Sequence, residues 1–248
     1  MNEILLLTVL FFGIAIVYAS AGFGGGSSYL ATLSLFPIAF HDMRMTALIC
    51  NVVVVSSSVV LFNKYKYINW KKVIPLIVFS IPLAYLGGKM LIQERAFFIL
   101  LGLSLLLASL VMIFDKRTSI TKIPQYGNAA IGGGIGFLSG IVGIGGGIFL
   151  SPLLHLSKWG KPKVIAATSA LFILVNSLAG ILGQLMTYEI NLNLSKLTAL
   201  AFAVFLGGQI GVRMTILKID PLWVRRITAF VILIVSLRLL FKYLVAEI

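Results

Sequence analysis

The chain has 248 residues, of which 60% are hydrophobic and only 11% are charged, with a mean hydropathy of +1.08 and a formal net charge of +13. A soluble domain carries about 25% charged residues, so this composition excludes a soluble globular protein. The basic residues lie almost entirely in short loops between apolar blocks. That distribution is typical of cytoplasmic loops in membrane proteins and argues against a nucleic-acid-binding protein.

Eight apolar blocks follow one another, and most have a length that suits a membrane-spanning helix of about 20 residues. They cover residues 4–20, 43–62, 73–92, 96–114, 128–143, 164–188, 197–217 and 222–245. Two shorter apolar pieces, 27–36 and 148–157, follow the first and fifth blocks. The blocks lack the alternating pattern of barrel strands. They therefore predict an all-α polytopic membrane protein, with residues 1–248 in a single transmembrane domain.

The first block could also be the core of a cleaved signal peptide, because Ala19-Ser20-Ala21 resembles a cleavage site. The residues before it, Asn2-Glu3, carry no basic charge, and the segment is echoed later in the chain. We therefore expect a retained membrane helix.

Three sequence features return in the same order after about 120 residues. The recurring pairs are Gly22-Phe23-Gly24-Gly25-Gly26 with Gly143-Ile144-Gly145-Gly146-Gly147, Thr46-Ala47-Leu48 with Ser169-Ala170-Leu171, and Gly87-Gly88 with Gly207-Gly208. Asn51 and Asn176 also follow at similar depth in their helices. The nearly constant offset predicts a duplication, with repeats at about residues 1–120 and 121–248.

The distribution of Lys and Arg predicts how the two halves are oriented. If each glycine triplet turns its segment back as a re-entrant hairpin, each half has three full spans and the second half is inverted. Both chain ends then share one side with six of the twenty basic residues, Arg44 in loop 37–44 among them, and fourteen lie opposite. Simple spans would instead give ten on each side. The positive-inside rule therefore favours the hairpins, two inverted repeats, and both termini outside the cytoplasm.

Consecutive glycines at membrane depth leave backbone groups without helical partners, which is tolerated where the break is buried in protein or lines a wet cavity. The short helices predicted after the two breaks direct positive N-terminal ends toward them. Paired broken helices in two repeats mark the substrate site of many transporters, although the glycines could serve only close helix crossing. The candidate binding residues here are Gly24, Gly25, Gly26, Ser27, Ser28, Gly145, Gly146 and Gly147.

Polar side chains within the apolar blocks complete the candidate site: Asn51, Thr168, Ser169 and Asn176. Hydrogen bonding between helices is the alternative for each and is expected for most serines. The two asparagines are costlier to bury, which favours a place on the substrate path. None of the seven Asp and Glu residues lies in the middle of a block. A carboxylate proton relay is therefore not expected, and the path suits an anion.

The sequence offers little material for catalysis or for a cofactor. Cys50 is the single cysteine, and His41 and His155 lie far apart near segment ends, so no metal site, cofactor or enzymatic activity is expected. An intramembrane protease of the rhomboid type needs a Ser–His pair at membrane depth, and neither histidine has a convincing partner. Without a Walker A motif, primary pumping would need a partner subunit, and the coupling ion is not readable from the sequence.

With these motifs the chain resembles the sulfite exporter TauE/SafE family of membrane transporters. The paired glycine-rich elements, about 120 residues apart in a basic eight-block chain, carry the resemblance, which covers both halves. It implies a bacterial inner-membrane permease, from a family linked to export of sulfite, sulfoacetate and related sulfur-containing anions. The family's glycine-rich elements correspond to Gly22–Gly26 and Gly143–Gly147.

The expected function is a secondary transporter, and specifically an exporter, of sulfite, an organosulfonate or a related sulfur-containing oxyanion. The expected partners are that small anion and the lipid bilayer, and a homo-oligomer is compatible with the sequence. An anion channel of the same architecture is the main alternative, followed by a membrane subunit that transports nothing itself.

Overall fold

The computed structural model describes residues 3–113, 125–157, 159–216 and 221–245, and every regular element in them is helical. The α-helices are α1 (Glu3–Ser20), α2 (Gly26–Leu33), α3 (Phe40–Lys64), α4 (Trp70–Lys89), α5 (Glu94–Ile113), α6 (Gln125–Val142), α7 (Gly147–Leu156), α8 (Pro162–Leu185), α9 (Leu194–Ile216) and α10 (Pro221–Leu240), and a π-helical turn follows at Phe241–Val245. The predicted linkers 115–126 and 218–221 lie largely outside the described residues.

Five helices are long and apolar enough to cross a membrane: Glu3–Ser20, Phe40–Lys64, Trp70–Lys89, Pro162–Leu185 and Leu194–Met214. Large hydrophobic side chains cover the outside of the bundle, including Val60 of α3 at 70% exposure and Phe202 of α9 at 65%. An apolar exterior of this extent suits lipid and not water. The chain is an all-helical multi-pass membrane protein, as the composition predicts.

Glycines in left-handed conformations interrupt the helices at two places. α1 ends at Ser20 and α2 begins at Gly26, with Gly22 at φ 80° and Gly25 at φ 94° between them. α6 and α7 are separated in the same way, by positive φ angles at Gly143, Gly145 and Gly146. Residues with a Cβ rarely adopt this conformation, so both breaks depend on glycine.

One end of the bundle carries both ends of the described chain and is called the termini end below. Four contacts define it: Glu3 pairs with Lys196 at 2.8 Å, the Asn191 N–H donates to Asp42 Oδ1 at 3.0 Å, the Tyr188 hydroxyl donates to the Met90 carbonyl at 2.8 Å, and Arg95 Nε donates to the Tyr243 carbonyl at 3.3 Å. Phe36, which follows α2, also lies there, with its ring 5.8 Å from Lys196 Nζ. The start of α1 and the segment after α2 are therefore at the same end.

The opposite end of the bundle, called the loop end, holds the α3–α4 and α7–α8 connections. Lys72 Nζ donates to the Trp159 carbonyl at 3.1 Å, and Lys163 Nζ lies 5.6 Å from the centre of the Tyr67 ring. Because the α3 N-terminus and the α8 C-terminus both lie at the termini end, α3 and α8 run in opposite directions.

Close glycine contacts fix the direction of the α4–α6 pair. A Cβ at Gly132, Gly136 or Gly140 of α6 would overlap the backbone of Leu76, Ser80 or Ala84 of α4, respectively. Because the residue numbers of the contacting pairs increase together along both helices, α4 and α6 run in the same direction. α9 runs parallel to α1 for the same reason, because a Cβ at Gly207 would overlap the Phe12 backbone and a Cβ at Gly211 would overlap that of Ile16.

The helix contacts show a symmetry in which α1 to α5 correspond to α6 to α10 in order, so that each contact between the halves has a counterpart. α4 packs on α6 as α9 packs on α1, α4 packs on α8 as α9 packs on α3, and α5 packs on α7 as α10 packs on α2. The remaining large interfaces join α3 to α8 and α5 to α10. In the most apolar stretch of each spanning helix, 56% of the residues of α3 and 72% of those of α8 are buried. The corresponding share for α1, α4 and α9 is 33–39%. α3 and α8 therefore form the centre of the molecule.

Candidate functional site

Asn51 of α3 lies where the two glycine breaks come together. A Cβ added at Gly24 or Gly26 would overlap its amide, and a Cβ at Gly145 would lie 3.2 Å from its Nδ2 atom. The side chain is 0% exposed. One amide therefore borders both breaks, although they are about 120 residues apart in the chain.

The Asn51 amide has unused hydrogen-bonding capacity. Neither Nδ2 nor Oδ1 has a hydrogen-bond partner among the described residues. Leaving a buried polar group unpaired costs about 1–3 kcal/mol, and such groups normally find a partner in protein or ordered water. A bound ligand with both donors and acceptors, or a hydrated one, would satisfy this amide.

The short helices that follow the breaks begin beside this amide. Gly25 precedes α2 and Gly146 precedes α7, and neither helix start has a side-chain cap. The first N–H groups of a helix have no intrahelical partners and carry a partial positive charge. Two uncapped N-termini near one buried amide form an arrangement suited to an anion.

Buried hydroxyl groups surround the second break. A Cβ at Gly145 would lie 2.8 Å from Ser177 Oγ, a Cβ at Gly146 would lie 3.0 Å from Ser139 Cβ, and a Cβ at Gly147 would lie 3.4 Å from the Ser169 carbonyl oxygen. All three serine hydroxyls lack a hydrogen-bond partner among the described residues. Thr168, also buried, has an unpartnered hydroxyl too. Ser139 and Ser177 are not among the predicted site residues. Ser139 lies one turn before Gly143, and Ser177 directly follows Asn176, and these positions are the sequence signals that mark them.

Two other predicted site residues, Ser28 and Asn176, already form hydrogen bonds, the first within its own half and the second within its own helix. The Ser28 hydroxyl shares a 2.6 Å hydrogen bond with the Tyr18 hydroxyl, and Ser27 is buried beside it. Asn176 Nδ2 donates to the Phe172 carbonyl one turn earlier at 2.9 Å, which leaves its Oδ1 without a partner. Relative to the glycine breaks, Ile173 takes the place in α8 that Asn51 takes in α3, because it lies against Gly147 as Asn51 lies against Gly26.

Arg44 is a buried cation that the sequence analysis assigns to a loop. The structure places it in the second turn of α3 with 0% exposure. Its Nη2 atom donates to the Gly140 carbonyl at 3.1 Å, while Nε and Nη1 have no hydrogen-bond partner among the described residues. The guanidinium carbon lies 5.3–5.9 Å from the ring centres of Phe40, Phe97 and Tyr188.

No carboxylate in the described part of the chain forms an ion pair with Arg44. The partners that the structure gives this cation are one carbonyl, the nearby Tyr188 hydroxyl and three aromatic faces, which attract cations. A buried cation without a counter-charge is unfavourable, and a bound anion would supply the charge that no described residue gives it.

Arg44 and Asn51 lie on one face of α3, because seven residues make two helical turns, or about 10 Å. Arg44 adjoins the start of the second break, where a Cβ at Gly143 would lie 3.5 Å from Nε. Asp42 and Thr46 lie on the opposite face of α3 and line a cavity of about 250 Å³ at the termini end. The Arg44–Asn51 face is therefore distinct from that cavity.

Comparisons with known proteins agree with this architecture. The family model described as sulfite exporter TauE/SafE matches residues 6–239. The chain is 32% identical over 246 residues to "Probable membrane transporter protein y4hK" of Sinorhizobium fredii, which covers 96% of this chain and 99% of that protein. It is 26% identical to "Probable membrane transporter protein YunE" of Bacillus subtilis, over 77% of this chain and 80% of that protein.

A third relative is "Probable membrane transporter protein MJ0441" of Methanocaldococcus jannaschii, 30% identical over 54% of this chain and 53% of that protein. No solved structure matches the chain. The family match extends over both halves and includes both glycine breaks, which confirms the resemblance drawn from the glycine-rich elements. The chain belongs to the sulfite exporter TauE/SafE family of membrane transporters.

Proposed function

We propose that the protein is a secondary transporter that exports a small sulfur-containing oxyanion, such as sulfite or an organosulfonate. The observation that carries the proposal is the buried Asn51 amide, which borders both glycine breaks and has no hydrogen-bond partner among the described residues. The family's description as a sulfite exporter supports this substrate class. The function involves no covalent chemistry, in keeping with the prediction that the protein is not an enzyme.

The proposed site matches the chemistry of a sulfonate or sulfite group. Oxygen atoms arranged around a sulfur accept hydrogen bonds from several directions, and the uncapped N-termini of α2 and α7 offer N–H donors from both halves. The hydroxyls of Ser139, Ser169 and Ser177 add donors beside the second break. Bonds from neutral donors to an anion are about twice as strong as bonds between neutral groups.

In this proposal the two halves are inverted repeats. Equivalent helices face each other in the α3–α8 pair and in the α5–α10 pair. α3 and α8 run in opposite directions, and α5 and α10 do so too, because Arg95 contacts Tyr243 while Gly102 adjoins Leu240. A two-fold axis along the helices would make equivalent helices parallel, so antiparallel pairs support an axis in the membrane plane. Such symmetry is common in transporters with alternating access.

The α1–α2 and α6–α7 segments are then re-entrant hairpins that enter from opposite ends of the bundle. The contacts of Glu3 and Phe36 with Lys196 support the first hairpin. The parallel run of α6 beside α4 and the Trp159 contact with Lys72 support the second. Since the basic residues concentrate at the loop end, we place that end in the cytoplasm of a bacterial cell and the protein in its inner membrane.

A transporter is favoured over a channel because the site is closed. Asn51 and Arg44 are both 0% exposed, whereas a conducting channel keeps its binding groups open to water. The names of the relatives, each a probable membrane transporter, also favour a transporter over a subunit that carries nothing.

The proposal is tested with purified protein in proteoliposomes loaded with sulfite, methanesulfonate, sulfoacetate, thiosulfate or acetate. We expect saturable flux of at least one sulfur-containing anion and counterflow when unlabelled anion is present on the opposite side. Flux that rises linearly with concentration and shows no counterflow would favour the channel. The absence of both flux and binding for every sulfur-containing anion would overturn the proposed substrate class.

A further inference from the structure

We propose that Arg44 binds the transported oxyanion through its negative charge at a second binding site. This site, called the Arg44 station, lies two helical turns from Asn51 toward the termini end. The inference rests on the proposed function and deepens it. It assigns the recognition of negative charge to one side chain and one side of the molecule.

Arg44 lacks a counter-charge among the described residues. It is fully buried, it forms no ion pair in the described part of the chain, and two of its three nitrogens have no hydrogen-bond partner there. A buried cation without a partner is unfavourable, so a packing role would be better served by an apolar side chain. The two unpartnered nitrogens are donors suited to a carboxylate, sulfonate or sulfite oxygen.

Arg44 does more than cap a helix. Its Nη2 atom binds the Gly140 carbonyl, near the C-terminus of α6, where a cation is favourable. That contact occupies one nitrogen. Nε adjoins Gly143, a glycine at φ 71° that leaves the space beside the guanidinium without a side chain. The anion would contact Arg44 at this edge of the second break.

The two halves differ at the place that Arg44 occupies. Gly22 and Gly143 occupy matching places at the starts of the two breaks, yet a Cβ at Gly22 would meet Ala166, whereas one at Gly143 would approach Arg44. Arg44 lies on the termini-end side of Asn51, and Ala166, near the start of α8, lies on the loop-end side. An anion that travels between Asn51 and the termini end therefore passes a cation, and the matching place on the other route is apolar.

Three aromatic rings around Arg44 stabilise its positive charge when no anion is bound. Phe40, Phe97 and Tyr188 exclude water and hold the guanidinium by cation–π attraction. In such a dry environment the attraction between opposite charges is much stronger than in water. The station is therefore expected to take a small oxyanion and to reject neutral molecules of the same shape.

The test measures the thermal unfolding of the purified full chain in detergent, with and without methanesulfonate or sulfite. The variants are Arg44→Gln, Arg44→Met and Arg44→Lys, with Lys89→Gln as the matched control. Lys89 is an exposed cation at the C-terminus of α4, on the same side of the molecule. The wild-type melting temperature is expected to rise with anion concentration, because a ligand that binds the folded state stabilises it.

We expect both neutral Arg44 variants to lose at least tenfold in affinity for the anion that stabilises the wild type, with an unliganded melting temperature at or above that of the wild type. Arg44→Lys should recover part of the affinity, and Lys89→Gln should behave as the wild type. Affinity within twofold of wild type in a neutral Arg44 variant would overturn the station. So would a lower unliganded melting temperature with unchanged affinity, which is the outcome of a helix cap alone.

If neither neutral variant folds, Arg44→Lys decides the matter. A loss of threefold or more supports a guanidinium-specific contact, and unchanged affinity overturns it. Failure of the proposed function is distinguishable, because then no sulfur-containing anion stabilises the wild type itself. Loss of anion binding in Asn51→Ala together with full binding in Arg44→Gln would overturn the Arg44 station alone.

Discussion

Asn51 of the first half lies against Gly145 of the second half, with its amide nitrogen 3.2 Å from the place that a Gly145 Cβ would occupy. The same amide adjoins Gly24 and Gly26 in its own half. Any movement of one half against the other must therefore change the surroundings of this amide. A binding group in this position can respond to both access routes, as alternating access requires.

Replacing Asn51 by Ala is expected to lower transport per folded molecule by about tenfold or more, because the change removes a buried hydrogen-bonding group worth about 1–3 kcal/mol when its partner is bound. Asn176→Ala is the matched control, since that amide already donates to the Phe172 carbonyl in its own helix. Flux in proteoliposomes, normalised to monodisperse protein, measures both. An equal or larger loss in Asn176→Ala would move the site away from Asn51.

Replacing Gly25 or Gly146 by Leu is expected to abolish transport while membrane insertion continues. Both glycines have positive φ angles, and a Cβ would meet the Tyr29 ring at Gly25 or the Phe172 ring at Gly146. Insertion depends on apolarity and loop charge, which the change does not reduce. Gly134→Leu is the control, because no atom lies within 4 Å of a Cβ there.

The measurement for these glycine variants is transport per folded molecule, with folding checked by monodisperse elution. Near-normal specific transport in both Gly25→Leu and Gly146→Leu would remove the conformation of the breaks from the mechanism. Loss of expression in proportion to activity would instead assign these glycines to packing.

The positions of the two helix breaks are predicted from the sequence by the repeated Gly-x-Gly-Gly-Gly pattern, and α2 and α7 begin within a residue of the predicted apolar pieces 27–36 and 148–157. Consecutive glycines alone do not stop a helix, because Gly132-Gly133-Gly134 continues within α6. The apolar blocks likewise predict the five helices that are long and apolar enough to cross a membrane. α8 even begins at Pro162, a residue favoured in the first helical turn.

The environment of Arg44 is not predictable in this way. An arginine near the start of an apolar block has the sequence signature of an interfacial residue, and only the packing of α5 and of the α8–α9 connection around it makes it buried. The pairing of Asn51 with Asn176 also depends on tertiary structure, and the packing instead gives Asn51 the counterpart Ile173. Side-chain partners from distant helices are invisible to local patterns.

Replacing Gly136 by Leu is expected to destabilise the fold without altering the site directly. α6 carries glycines at positions 132, 136 and 140, a spacing that lets two membrane helices approach closely. A Cβ at Gly136 would overlap the Ser80 backbone of α4, and overpacking of this kind costs about 1–3 kcal/mol. The melting temperature should fall well below that of Gly134→Leu, and equal stability of the two variants would refute the close contact.

The orientation of the molecule in the membrane is testable with single cysteines in a Cys50→Ala background. Tyr65, half exposed at 50%, lies in the α3–α4 connection at the loop end, and Glu189 is exposed at the termini end. With Arg44 buried, five of the basic residues assigned to the termini side remain near its surface, against fourteen opposite. The positive-inside rule then places the termini end outside the cell.

We expect a membrane-impermeant maleimide added to intact cells to label Glu189→Cys and to leave Tyr65→Cys unlabelled until the membrane is permeabilised. Both positions lie in connections outside the buried core, so the reagent meets no steric barrier at either one once it has access. The hairpin arrangement requires the two positions to lie on opposite sides of the membrane, because α1 and α2 together cross the bilayer an even number of times and leave the start of α3 on the side of the N-terminus. The positive-inside rule then places Glu189 outside and Tyr65 inside. Ready labelling of Tyr65→Cys in intact cells would reverse the orientation. Labelling of both positions from outside would contradict the antiparallel order of α3 and α8 and, with it, the re-entrant hairpins.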